Sequence, residues 1–211
     1  MSKPRRRAGR PAATPSAETR ERILRAACER FAAAGYSHAR NAEIAEAAGV
    51  TSAALYHYFD SKAALFAATY GHYLEVILEA YRAASAAPEG AVAKLGAMVR
   101  TNVALNREHP GLAGFFAFAP LELMRHPELA KLAGESGGVE LTALFRGVLE
   151  DGVRRGELPK RLPVAAVVQL LVATSYGLSW SHGISTPAQH DVVMGAFEAL
   201  LEGTLFREDS T

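Results

Sequence analysis

The residues best equipped for chemistry lie between positions 53 and 62. Ala53 and Ala54 leave a stretch of helix without bulk, His57 stands beside them, Tyr56 and Tyr58 flank it, and Lys62 follows. At 100° per residue Leu55 and Phe59 share the opposite, apolar side. Small residues let a helix sink into a major groove, while polar aromatics at its margins reach the phosphate walls. The same rings could fill a core; Phe59 does so on this pattern, whereas Tyr56 and His57 point away from Leu55, which favours contact. Lys62, in the first turn of the next helix, opposes the helix dipole. A phosphate docked at that helix end would make sense of it, although a solvated Lys needs no partner.

Other chemistries find little support. The seven His residues lack the Cys or carboxylate spacing of a metal site, and no GxSxG, P-loop or HExxH motif is present. No enzyme activity, metal or cofactor is expected.

The elements that must position these residues read as helices. Alanine is abundant, and no run of alternating β-branched residues suggests a sheet, so an all-α chain is expected. Ser16 is a good N-cap for a first helix ending at Gly35, with Ile23, Leu24, Ala27, Cys28 and Phe31 as its buried stripe. A second helix over 41–48, with Asn41 as N-cap, turns Ile44, Ala45 and Ala48 inward. Gly49 supplies a tight turn, Val50 plugs the junction, and a third helix covers 52–59. Ser61 caps a fourth, running to about 84.

The net charge of +1 conceals an asymmetry. Residues 1–62 carry 11 Lys/Arg against 6 Asp/Glu, and residues 63–211 carry 12 against 16. A basic head on a mildly acidic body suits a polyanion met from one end, though charge also varies along chains for no such reason. Residues 1–15, rich in Arg, Pro and Ala, are expected to be disordered. They serve either as a solubilising end or as a basic arm in a DNA minor groove. Cys28 is the single cysteine, which excludes an intramolecular disulfide and suits a cytoplasmic setting. The apolar run 163–180 contains Gln169, Thr174, Ser175 and Tyr176, and reads as a buried bundle helix rather than a membrane span.

The segments ILRAACERFAAAGY (23–36), IAEAAGV (44–50), LYHYF (55–59) and SKAAL (61–65) resemble the DNA-binding domain of the TetR family of bacterial transcriptional regulators. The resemblance covers about a quarter of the chain. It implies a three-helix helix-turn-helix head (16–60) joined by helix 4 to a six-helix ligand-binding and dimerisation body (61–211). It further implies a homodimer on a palindromic double-stranded DNA operator and release by a small-molecule effector. The family's DNA contacts fall here on Arg40, Asn41, Thr51, Ser52, Ala53, Tyr56, His57, Tyr58 and Lys62. The entry Arg40-Asn41 departs from the usual Thr or Ser followed by an apolar residue, and Arg40 has the chemistry for a phosphate or a guanine edge.

In the body, helices are expected over 88–109, 110–119, 139–155, 163–182 and 187–206, with Pro120 and Pro127 bracketing a short segment. The inward stripe of the first of these is Val92, Leu95, Val99 and Val103. The last two are apolar on more than one side. By resemblance they pair with their copies across a dimer, while a simply buried helix fits the periodicity equally well. Met98, Phe115, Phe116, Met124, Tyr176 and Trp180 are candidates to line an apolar cavity, with Asn102, His109 or His182 as its polar groups. Each of them also reads as plain core. The implied effector is apolar or aromatic. Repression is the expected mode; the competing readings are an activator of the same family and a dimeric helical ligand-binding protein without a specific operator.

Overall fold

A computed structural model describes residues 16–134 and 136–203, together with the backbone but not the side chains of 136–138, 182–184 and 187. Ten helices and no strand occur among them. Helix α1 (Ala17–His38) starts where Ser16 Oγ accepts the Thr19 N–H at 3.1 Å, and its predicted stripe is buried. Gly35, at φ 69°, breaks its regular geometry as expected, and the last residues to His38 follow that kink.

Helices α2 (Asn41–Ala47) and α3 (Ser52–Tyr58) meet at Gly49, φ 67°, where Val50 N–H bonds back to Ala45 O. The N-cap of α2 is Arg40, not Asn41, and it makes no side-chain cap bond; Asn41 is the first helical residue. Thr51 caps α3 through its hydroxyl, which accepts the Ala54 N–H. Ile44, Ala45, Ala48, Leu55 and Phe59 turn inward against α1.

Helix α4 (Lys62–Ala86) is capped by Ser61 and spans about 37 Å at 1.5 Å per residue. Its first turns pack against α1, and its later turns, Tyr70 to Tyr81, form one wall of the body. Helix α5 (Ala91–Glu108) begins three residues after Pro88 rather than at it. Gly90 precedes it with no side chain to cap, and Glu157 Oε2 accepts the Ala91 N–H at 2.8 Å instead. Of its expected stripe, Leu95 and Val99 are buried and Val92 and Val103 are half-buried.

Helix α6 (Leu112–Arg125) differs from expectation by running straight through Pro120. Proline inside a helix costs about 3 kcal/mol. Here Phe115, Phe116 and Ala119 before it, and Leu123 after it, are packed on the core and hold both sides in register. Pro127 then opens a separate α7 (Pro127–Ala133), so α5–α10 are the six body helices expected beyond the linking α4. Helix α8 (Ser136–Arg154) precedes α9 (Val164–Ile184) and α10 (Pro187–Glu202); residues 204–206, placed on the last helix by the sequence, lie outside the described residues.

Head and body share one seam. Helix α1 packs on α6, where Gly111 (φ 89°) and Gly114 permit close approach: a Cβ on Gly111 would stand 2.9 Å from Glu29 Cα. Phe31, Phe66 and Phe115 interlock across it, with ring centroids 5.0 to 6.3 Å apart. Helix α9 is long and apolar enough by composition to cross a membrane, yet only 17% of its apolar window Val164–Ser181 is buried. The expectation of a buried bundle helix is therefore not met within one chain.

Candidate nucleic-acid interface and internal chambers

The outward face of α3 carries Ser52, Ala53, Tyr56 and His57, all exposed, with Thr51 and Arg40 exposed nearby. Burial of Leu55 and Phe59 leaves this face no other orientation. Tyr56 is 51% exposed, and its hydroxyl accepts a hydrogen bond from Asn41 Nδ2 at 3.2 Å. Asn41 thus holds Tyr56 in place, while its own Oδ1 is buried without a hydrogen-bond partner.

Two of the expected phosphate contacts have other partners. The Tyr58 hydroxyl accepts the Ser16 N–H at 2.8 Å, tying the end of α3 to the start of α1. The Lys62 ammonium donates to Ser37 O at 3.1 Å and Ala39 O at 3.3 Å and lies 4.7 Å from the centre of the Tyr36 ring. A cation near the start of one helix here serves the carbonyls at the end of another, which answers the dipole objection without a phosphate. Burial, with Glu128 and Glu122 nearby, raises the Tyr36 pKa and keeps that ring neutral beneath the ammonium. Arg20, unremarked in the sequence, covers the Phe59 ring at 5.6 Å.

Charge is distributed differently from the picture of a basic head. Residues 16–62 carry six Lys/Arg and six Asp/Glu, so the head's whole positive excess belongs to residues 1–15, outside the described residues.

Among the described residues, two small and mostly apolar chambers lie side by side in the body. One, about 30 Å³, lies among α4, α5, α8, α9 and α10, with Met98, Met194 and Phe197 in its walls. The other, about 40 Å³, is lined by Phe116, Leu141 and Tyr176 among others. Tyr81, Asn102 and Ser175 border both. Of the cavity candidates, Met98, Asn102, Phe116 and Tyr176 are therefore at a chamber. Phe115 is not, because it turns into the α1–α6 seam. His109 stacks on Tyr73 at 5.5 Å. Met124 and Trp180 are 81% and 52% exposed, on the outer sides of α6 and α9, and neither borders these two chambers. The His182 side chain lies outside the described residues. Tyr81, Ser175, Met194 and Phe197 escaped the sequence reading; Tyr81 continues the α4 stripe of Tyr70, Leu74 and Ile77, which was the available signal.

Residues 23–69 match the family model described as bacterial regulatory proteins, tetR family. The chain is similar to the HTH-type transcriptional regulator UidR of Escherichia coli K12, 28% identical over 165 residues, covering 78% of this chain and 82% of that one. It is likewise 28% identical to the HTH-type transcriptional repressor KstR2 of Rhodococcus jostii RHA1, over 74% of this chain and 76% of the other. The transcriptional regulator FadR of Bacillus subtilis, solved in complex with stearoyl-CoA, shares the fold. It has a TM-score of 0.67 at 21% identity over 87% of this chain and 98% of its own.

Proposed function

Because the chain belongs to the TetR family of bacterial transcriptional regulators, we propose that this ligand-responsive DNA-binding regulator is a repressor: two copies hold a palindromic operator until a small apolar molecule enters the body. The observation that carries the DNA reading is the exposed α3 face, with Ala53 free of bulk, Ser52 and His57 toward base edges, and Tyr56 held by Asn41 at the margin. Arg40, exposed at the α2 entry, supplies a cation beside that face and the chain's individual operator preference. Residues 16–60 form the reading head and residues 61–211 the responding body, with α4 shared. Residues 1–15 act as a basic arm that adds affinity by displacing counterions.

Exposure supports dimerisation through α9 and α10. Leu170 and Trp180 on α9, and Val192 and Leu200 on α10, are large apolar side chains open to solvent. A second copy of the chain would cover them, and two heads supply the half-sites that one short helix cannot. Coupling runs through α6, where neighbouring rings face different sites: Phe116 a chamber, Phe115 the α1 seam. A molecule that binds one arrangement of α6 more tightly than the other shifts the head population accordingly.

Fluorescence anisotropy with DNA from upstream of the protein's own gene tests the reading. Log affinity should fall steeply with log salt, at about −0.9 per phosphate contacted, and removing residues 1–15 should flatten that slope. A flat response in the intact protein would overturn it. Light scattering should find a dimer for the wild type and a monomer for Trp180→Glu.

A further inference from the structure

The two chambers share one polar point, and its hydrogen bonds run in a single direction. Asn106 Nδ2 donates to Asn102 Oδ1 at 2.9 Å, and Asn102 Nδ2 donates to the Tyr81 phenol oxygen at 3.0 Å. Tyr81 is buried, and among the described residues its own O–H proton has no acceptor. Ser175, the third residue on both chambers, has its proton on Leu171 O at 2.8 Å. The point at which the chambers meet therefore presents a buried donor with nothing to receive it.

A buried donor without an acceptor loses its hydration with nothing in return, and a ligand oxygen would restore that bond. Burial pushes the Tyr81 pKa up to about 12, so the phenol keeps its proton under ordinary conditions. Among the described residues, no Asp, Glu, Lys, Arg or His lines either chamber. An ionised ligand would there lose its hydration and gain no counter-charge. Chambers of about 30 and 40 Å³ hold only a few water-sized groups. A larger molecule enters by displacing their walls, where the flexible side chains of Met98 and Met194 yield most readily.

We propose that the joined chambers bind a neutral, mostly hydrocarbon molecule bearing one carbonyl oxygen, which accepts the Tyr81 proton. The inference rests on the effector reading above and narrows it to a chemical class: ketones, esters or amides, not carboxylates or hydrocarbons alone.

Three probes of similar volume test it by calorimetry on the full-length protein: acetophenone, its isostere α-methylstyrene, and the anion benzoate. Acetophenone should bind about five- to tenfold more tightly than α-methylstyrene, the worth of one neutral hydrogen bond, and benzoate more weakly than either. In Tyr81→Phe the ketone should lose its advantage while α-methylstyrene affinity stays put; circular dichroism and operator binding report whether that variant folds. Independently of any variant, the carbonyl stretch of bound acetophenone should shift to lower frequency than in hexane. An unshifted stretch, a ketone preference that survives in Tyr81→Phe, or benzoate binding as tight as the ketone would each overturn the proposal. Equal binding of ketone and alkene, with release of DNA by both, would overturn it while leaving the effector reading intact. Failure of all three probes to bind would count against both.

Discussion

Replacing Lys62 by methionine separates a clasp from a phosphate contact. Methionine keeps the packing of the aliphatic stem and removes the charge. In the structure the ammonium satisfies two carbonyls, Ser37 O and Ala39 O, and faces the Tyr36 ring. Hydrogen bonds from a charged donor are worth about 1.5–3 kcal/mol each when well formed, and a partly exposed cation–π contact about 0.5–1 kcal/mol. Lys62 is half-buried, so the lower ends apply and not all of each is lost; a destabilisation of about 2 kcal/mol is expected. For a chain of this size that lowers Tm by about 4–8 °C. Operator affinity should also fall, because Ser37 and Ala39 border the entry to α2 where Arg40 and Asn41 stand. The slope of log affinity against log salt should not change. Calorimetry and anisotropy at several salt concentrations read both quantities. An unchanged Tm, with a slope shallower by about 0.9 per half-site, would refute the clasp and restore the phosphate contact.

Tyr56→Phe and Asn41→Leu should each weaken operator binding several-fold, and the double variant should be little worse than either, because both break the same 3.2 Å bond. Additive losses in anisotropy would show that the two act separately. Gly111→Ala places a Cβ 2.9 Å from Glu29 Cα at a φ of 89°, and should cost more than about 1 kcal/mol by denaturant unfolding, whereas Gly147→Ala, with open space around it, should be neutral or stabilising. Burial raises the pKa of Tyr70, Tyr73, Tyr81 and Tyr176 above the ordinary 10.0. The unfolded chain therefore releases these protons first, and stability that is complete below pH 10 should fall as pH rises beyond it. Absorbance at alkaline pH should show these phenols ionising together with loss of helix; ionisation with the helices intact would contradict their burial.

Much of the head was legible because its signals are local. Ser16 and Ser61, read as caps, each sit one residue before a helix and accept the N–H three residues on, as does Thr51, not read as one. Gly35 and Gly49 interrupt helices at positive φ. The stripe through Ile23, Leu24, Ala27, Cys28 and Phe31 is buried because helical spacing alone puts those residues on one face. The body was less legible for a related reason. Helices such as α9 are apolar on several sides, so periodicity does not say which side meets a neighbour. Tyr176 and Trp180, four residues apart and so on nearly the same side, even so lie beside a chamber and in solvent respectively. In the sequence Pro120 reads as a stop because the cost of a helical proline is local, whereas the packing that outweighs it comes from distant segments.

By itself, then, the sequence determined an all-helical chain with a helix-turn-helix whose small and aromatic residues share one exposed face, since caps, glycines and apolar spacing act over three or four residues. What the polar groups around that face do depends on how the chain folds back on itself. Tyr58 holds Ser16 across 42 positions, Asn41 holds Tyr56 across 15, and Lys62 reaches back 25 to Ser37. The partner of a hydrogen bond is chosen by where the chain returns in space, and no spacing in the sequence specifies that return.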